Sequence, residues 1–377
     1  MANSLSNMFP DLYEALDIVS RELVGFIPAV TLDASAERAA LNQTIRVPVT
    51  PASTGENTTP GSLPPDTGDQ TVGNTTLSIT KSRTFPFRWQ GEEQKGMNTG
   101  VGYRSIKVQQ IAQAMRAACN EVESDLAGLF NRASRAYGTA GTTPFATGVG
   151  DAAQVLKILK DNGAPEGDVH LIIDTNAGAN MRSNTQLTKA NEAGGDELLR
   201  QGVLLNLFGM QIRESAQIKQ VTKGNGASYV LSANQAVKDT SIALITGTGN
   251  VNAGDIVTIA GDANKYVVGT GINAPGSIVL NSPGLRLAHS ASDALTVGNS
   301  YTANMAFHRS AVILVARPPA LPEEGDMATD REIITDPRSG LSFEVAVYPQ
   351  YRRVRYELSL AWGVALIKPD HAAILLG

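Results

Sequence analysis

One stretch near the end of the chain limits its fold more than any other. Val354, Tyr356, Leu358, Leu360, Trp362, Val364 and Leu366 all occupy even positions, with Arg353, Arg355, Glu357, Ser359, Ala361, Gly363 and Ala365 between them. Side chains alternate across a strand with a period of two, so the pattern predicts a half-buried β-strand. Its length exceeds the usual range of about 3 to 10 residues.

Two other regions also run long. "TIRVPVTPA" places Ile45, Val47 and Val49 on one face, and "LSITKSRTFPFRW" places Leu77, Ile79, Phe85, Phe87 and Trp89 on one face, which predicts two strands. The Pro-, Gly-, Thr- and Asn-rich segment between them has turn chemistry and little to bury. The result is a long β arm with a polar tip, and such a hairpin is marginal unless something outside it packs against it. From Ser105 to Ala136 there is no proline and one glycine, while Ile111, Met115, Ala118, Val122, Leu126 and Leu129 recur at helical steps. The opposite face carries Gln110, Gln113, Arg116 and Asn120. This predicts a single helix of roughly 45 Å at 1.5 Å per residue. Long helix, arm and strand together describe an elongated plate.

Shorter elements fill in the rest. Leu12, Leu16, Val19 and Leu23 predict an amphipathic helix between Pro10 and Gly25. "GDAAQVLKILKDNGAPEGDVHLIIDTNAGANMRSN" predicts a helix ending at Gly163, a buried strand from Val169 to Ile173, and a helix capped by Asp174 or Thr175. "FGMQIRESAQIKQ" adds a strand. From about Val221 to Asn304 charge thins out, and short apolar runs such as "DIVTIA" and "KYVV" alternate with Gly, Asn, Ser and Thr turns, the mark of a small all-β unit. "AVILVARP" and "LSFEVAV" then predict strands on either side of a loop rich in proline and acid.

Composition excludes several functions. The 377 residues carry 31 Lys and Arg against 36 Asp and Glu, a net charge of -5, which argues against a protein whose main task is gripping nucleic acid. The first residues have no apolar core of signal-peptide length and no apolar run spans a bilayer, so the expectation is a soluble protein made in the cytosol. Without a secretory route, the Asn-x-Thr triplets at Asn42, Asn57 and Asn74 mean little. The single cysteine, Cys119, forms no intrachain disulfide and reads as a packed small side chain.

No motif assembles a catalytic site. "GVGDAA" at Gly148 to Ala153 imitates a dinucleotide fingerprint, but the preceding "GTTPFAT" is no strand, and a loop with a helix start is the better reading. His170, His289, His308 and His371 show no metal-ligand spacing and are read as structural. Glu323, Glu324, Asp326, Asp330, Glu332 and Asp336 match no EF-hand and read as a solvated loop. Arg352, Arg353 and Arg355, beside Tyr351 and Tyr356, suit ion pairs across a protein interface, with phosphate contact as the alternative. The stripe Phe85, Phe87 and Trp89 reads as packing surface. Expected catalytic residues, cofactors and metals are therefore none.

The order of parts resembles the major capsid proteins of tailed bacteriophages, an α+β fold named after phage Hong Kong 97. "LSLAWGVALIKPDHAAILLG" is similar to the C-termini of coat proteins of short-tailed Salmonella-type phages, and "NAGDIVTIAG" resembles part of the insertion domain those proteins carry. The resemblance implies an N-terminal arm (1–41), an extended β-hairpin loop (42–101) reaching over a neighbour, a capsid core (102–220 and 305–377) and an inserted β domain (221–304). The helix from Ser105 and the strand from Tyr351 to Ile367 would form a peripheral wall, and Asp151 to Ile218 the part near local symmetry axes. It implies a non-enzymatic subunit of hexamers and pentamers in an icosahedral head, assembled in the bacterial host cytoplasm. Scaffolding and portal proteins, a decoration protein, and packaged double-stranded DNA held without sequence specificity are the implied partners, with no membrane. Arg83, Phe85, Phe87, Arg88, Trp89, Glu92, Glu93, Arg352, Arg353 and Arg355 are the expected intersubunit contacts. An encapsulin-like compartment shell and a nucleotide-binding α/β enzyme are the competing readings.

Overall fold

The computed structural model describes residues 24–34, 37–49, 55, 60, 73–97, 103–184, 206–335 and 340–377. The amphipathic helix expected before Gly25, most of the arm's polar tip and Asp336 lie outside them.

A short turn at Ile27–Ala29 leads into β1 (Thr31–Ala34). β2 (Thr44–Val49) and β3 (Gly73–Ser78) pair antiparallel in a sheet of their own, with Ile45 opposite Leu77. β4 (Lys81–Gln90) does not extend that arm. "LSITKSRTFPFRW", expected as one strand, changes partner at its middle. The Ile79 N–H still donates to Gln43 beside β2, whereas the Thr80 N–H donates to Trp362. With Ile79 fully buried, the chain turns there from the arm onto the main sheet.

The long helix runs Tyr103–Ala127 and not to Ala136. Its 25 residues span about 37 Å. A 3-10 turn, Gly128–Arg132, follows, and β5 (Arg135–Tyr137) is drawn into a sheet. There the Ser134 N–H donates to Ala372 and β5 lies between two strands that come later in the chain, contacts that end the helix early. Ile111, Met115, Ala118, Val122 and Leu126 form its buried stripe. Beside them Glu123 is also buried; its carboxylate accepts from Phe26 N at 3.2 Å, Ile27 N at 2.8 Å and Ser215 Oγ at 2.8 Å. Burial pushes its pKa up, against the pull of those hydrogen bonds.

A helix at Gly150–Asp161, β6 (Val169–Ile173) and a helix at Thr175–Ser183 come next, and Asp174 is the cap, accepting from Asn176 N and Ala177 N. β7 (Asn206–Leu207), β8 (Met210–Glu214) and β9 (Gln220–Val221) precede the short strands β10 (Tyr229–Leu231), β11 (Ser241–Ile245), β12 (Ile256–Ile259), β13 (Lys265–Thr270), β14 (Ser277–Leu280) and β15 (Ala294–Val297). These six enclose a hydrophobic cluster of their own around Leu231, Val257 and Ile278. β12 and β13, the apolar runs of "DIVTIA" and "KYVV", pair antiparallel across the turn between them, where Asp262 accepts from Asn264 N at 2.8 Å.

β16 (Tyr301–His308) pairs with β9, Tyr301 opposite Val221, so the chain returns beside the point where it left. The strand continues through Asn304 into the core, where it pairs with β6 and with β21 (Ala372–Leu376). The module also joins the core at β5, with Tyr266 opposite Arg135, and Asn281 donates to the carbonyls of Asn131 and Ala133, each at 2.8 Å.

The other large sheet has the order β1-β17-β20-β19-β18, with β4 on the free edge of β20. Its remaining strands are β17 (Val312–Arg317), β18 (Asp330–Thr335), β19 (Ser342–Gln350) and the alternating strand itself, β20 (Arg353–Leu366). Its even face packs on the long helix in the main core, around Tyr356, Leu358, Leu360 and Trp362. The expectation of a half-buried strand fails at its centre, because Leu358 to Gly363 are buried on both faces. The small residues of the odd face let the base of the arm lie across it. Ala361 clusters with Leu77 and Ile79, and a Cβ on Gly363 would sit 2.2 Å from the Ser78 carbonyl oxygen.

Candidate intersubunit surface

β4 runs antiparallel along β20, and cross-strand partners share a face. Phe85 lies opposite Leu358, Phe87 opposite Tyr356 and Trp89 opposite Val354, on the face turned to the long helix. Trp89 is buried and its indole N–H donates to Gln110 Oε1 at 2.8 Å. Phe87 stacks on Tyr356 with ring centroids 5.2 Å apart, and Lys107 Nζ lies 4.9 Å from the same Tyr356 ring, within cation–π range. Arg83 grips Glu121 on the helix through two hydrogen bonds of 3.0 and 3.1 Å. The paired geometry fixes orientation, but the site is exposed and adds little stability. Between these anchors β4 and the helix leave an open groove of about 1020 Å³, lined by Phe85, Phe87, Ile106, Gln109 and Gln113.

The opposite face is charged. Arg88 stands directly across from Arg355, and Gln90 across from Arg353. Arg352, in the tight turn before β20, has a φ of 54°. Arg355 Nε lies 2.5 Å from Glu357 Oε1, while Arg88, Arg352 and Arg353 make no ion pair among the described residues. On the same face Tyr348, opposite Arg355, donates its hydroxyl to Asp326 at 2.7 Å, and Asp326 also pairs with Arg331. Glu92 and Glu93 open the helix Gly91–Met97, where acidic residues are favoured, and Glu93 accepts from Gln90 N at 2.9 Å.

The expected contact residues therefore separate into three places. Trp89 belongs to the core. Arg83, Phe85 and Phe87 line the groove. Arg88, Arg352, Arg353 and Arg355 share the charged face and its tip, with Glu92 and Glu93 at the end of β4. Sequence reading missed that Asp326, Arg331 and Tyr348 belong to that face, because the loop that brings Asp326 there carries no periodic signal.

Other candidate chemistry is dispersed. Among the described residues no three His, Cys, Asp or Glu gather as a metal-binding group, and no helix is long and apolar enough to cross a membrane. His308 and His371 meet with ring centroids 6.3 Å apart, where β16 and β21 pair. His170 is buried 3.1 Å from Asp168, and burial lowers its pKa. The Gly148 loop lacks the strand that a dinucleotide site needs: β5 ends at Tyr137, and the carboxylate of Asp151 turns back to Phe145 N at 2.9 Å.

No family model matches this chain, and no curated protein does. Solved structures do. A chain from the capsid structure of the cyanophage P-SCSP1u is 14% identical, with a TM-score of 0.52 over 94% of this chain and 88% of its own. A chain from Mycobacterium phage Che8 is 14% identical over 89% of this chain and 84% of its own, with a TM-score of 0.47. One from the mature capsid of bacteriophage PhiM1 is 11% identical over 93% and 86%, with a TM-score of 0.46. At such identity the likeness is one of fold, and with its separate arm, long helix and long sheet in this order the chain has the α+β fold of the Hong Kong 97-type phage capsid.

Proposed function

We propose that this chain is a major capsid protein that self-assembles into the icosahedral head shell around a phage's double-stranded DNA. The observation that carries the reading is the fold match to the cyanophage capsid chain, which extends over 94% of this chain. The physical character of the surface agrees with it. β2 and β3 pair only with each other among the described residues, so beyond its base the arm depends on outside contacts. The mechanism is one of contacts: the arm, the groove beside Phe85 and Phe87, and the charged face join hexamers and pentamers. Scaffolding, portal and decoration proteins are the further partners, and an acidic chain suits enclosing DNA without sequence-specific grip. The short-stranded module is an insertion on this reading, supported by its own hydrophobic cluster and by the pairing of Val221 with Tyr301 at its ends.

The test is size-exclusion chromatography and electron microscopy of the purified chain, expressed alone and with its genomic neighbours. Uniform shells or tubes are expected. A monomer or small oligomer under every condition would sink the proposal, and shells that enclose an enzyme in place of DNA would reassign it to a compartment.

A further inference from the structure

Among the described residues, those charges on the open face of the long sheet that make no ion pair are divided by sign, Arg355 being paired with Glu357 and Arg331 with Asp326. On its β4–β20 side Arg88 faces Arg355 across the ladder, with Arg353 and Arg352 beyond. Glu357 pairs with Arg355, but Arg88, Arg352 and Arg353 make no ion pair among the described residues, so an external anion would be favoured there. On the β18–β19 side, Asp326 is held against the face by Tyr348 and Arg331, which brings the loop containing Glu323 and Glu324 to that side. Both glutamates are exposed and make no ion pair among the described residues. Each half also presents a large apolar side chain: Tyr351 at the arginine tip is 90% exposed and Met327 in the acidic loop 85%, the highest values among such residues described.

A surface with its unpaired bases on one half and its unpaired acids on the other is complementary to itself turned by half a rotation, the requirement of a two-fold contact. Resting on the shell reading above, we propose that this face docks on the same face of a second copy. Each copy's Glu323–Glu324 loop then lies on the other's Arg88, Arg352 and Arg353, and Met327 meets Tyr351 in a sulfur–aromatic contact. Arg88, Arg352 and Arg353, which make no ion pair among the described residues of the subunit, gain a charge partner in the assembly, which makes association salt-dependent. Nucleic acid is the weaker occupant for these arginines, because phosphates would meet the acidic half of the same face.

Charge exchange tests this. Arg88→Glu with Arg353→Glu, and separately Glu323→Lys with Glu324→Lys, are each expected to cut assembly by about tenfold or more, read by analytical ultracentrifugation, with the subunit's thermal unfolding unchanged. All four substitutions together restore it. If the glutamate pair fails to fold, Arg88→Gln with Arg353→Gln provides the same reading with a smaller loss. Normal assembly by both double variants, or no recovery in the fourfold variant, overturns the contact and leaves the shell reading standing. Normal shells that retain less DNA when the arginines are replaced would assign the face to nucleic acid and also overturn it. A wild-type chain that never assembles defeats the shell reading and this contact together.

Discussion

The two faces of β20 come from one alternating pattern and have different fates. The even face carries large apolar side chains along its whole length and closes on the long helix. The odd face has small residues at its centre, covered by the base of the arm, and charged residues toward Arg353, left open. Side-chain size decides the first boundary and charge the second. Ala361 and Gly363 let another backbone approach, whereas Arg353 and Arg355 keep the sheet hydrated or reserve it for a partner of opposite charge.

The largest effect on this contrast should come from the even face. Trp362 is fully buried and its indole N–H donates to Asp125 at 2.8 Å. Trp362→Ala is expected to cost about 3–5 kcal/mol in denaturant unfolding. A loss below about 1 kcal/mol would mean that the strand is not the main core wall.

Next comes the centre of the odd face. Gly363→Ala places a methyl 2.2 Å from the Ser78 carbonyl oxygen, so the arm's base must shift. A loss of about 1–3 kcal/mol is expected, with faster amide exchange at Ile79 and Thr80. Unchanged exchange there would show that the arm is held elsewhere.

The open end should be nearly silent in the subunit. Arg353→Ala is expected to change stability by no more than about 0.5 kcal/mol while weakening assembly, a split that separates a contact residue from a structural one.

The smallest effect is a pH dependence. The hydrogen bond from Tyr348, and then the charge of Arg331, hold the Asp326 carboxyl below the usual range. A depressed folded pKa contributes stability that is present above the unfolded pKa and lost as pH falls through the folded one. Asp326→Asn should flatten that acid-side slope, and an unchanged slope would remove Asp326 from the account.

Legibility in the sequence followed the range of the forces involved. β6 falls on Val169–Ile173 as read, and Asp174 caps the next helix, because apolar runs and caps are decided within a few residues. The apolar runs of β12 and β13 were readable for the same reason. The break at Ile79–Thr80 was not, since nothing local distinguishes pairing with Gln43 from pairing with Trp362. The early end of the long helix at Ala127 likewise depends on β13 and β21, which lie far along the chain. At the candidate surface, the arginines stood out as a cluster, but their separation from Trp89 and Phe87 onto the other face followed only once β4 was seen to pair with β20.

The most direct test of the account is a cryo-electron microscopy reconstruction of the assembled particle at side-chain resolution. It should show a closed shell in which the even face of β20 is sealed inside each subunit and the Arg88–Arg353 end of the odd face is covered by a neighbouring copy's acidic loop. A shell whose subunits leave that end bare to solvent would contradict the proposed contact, and particles that are not shells would contradict the function itself.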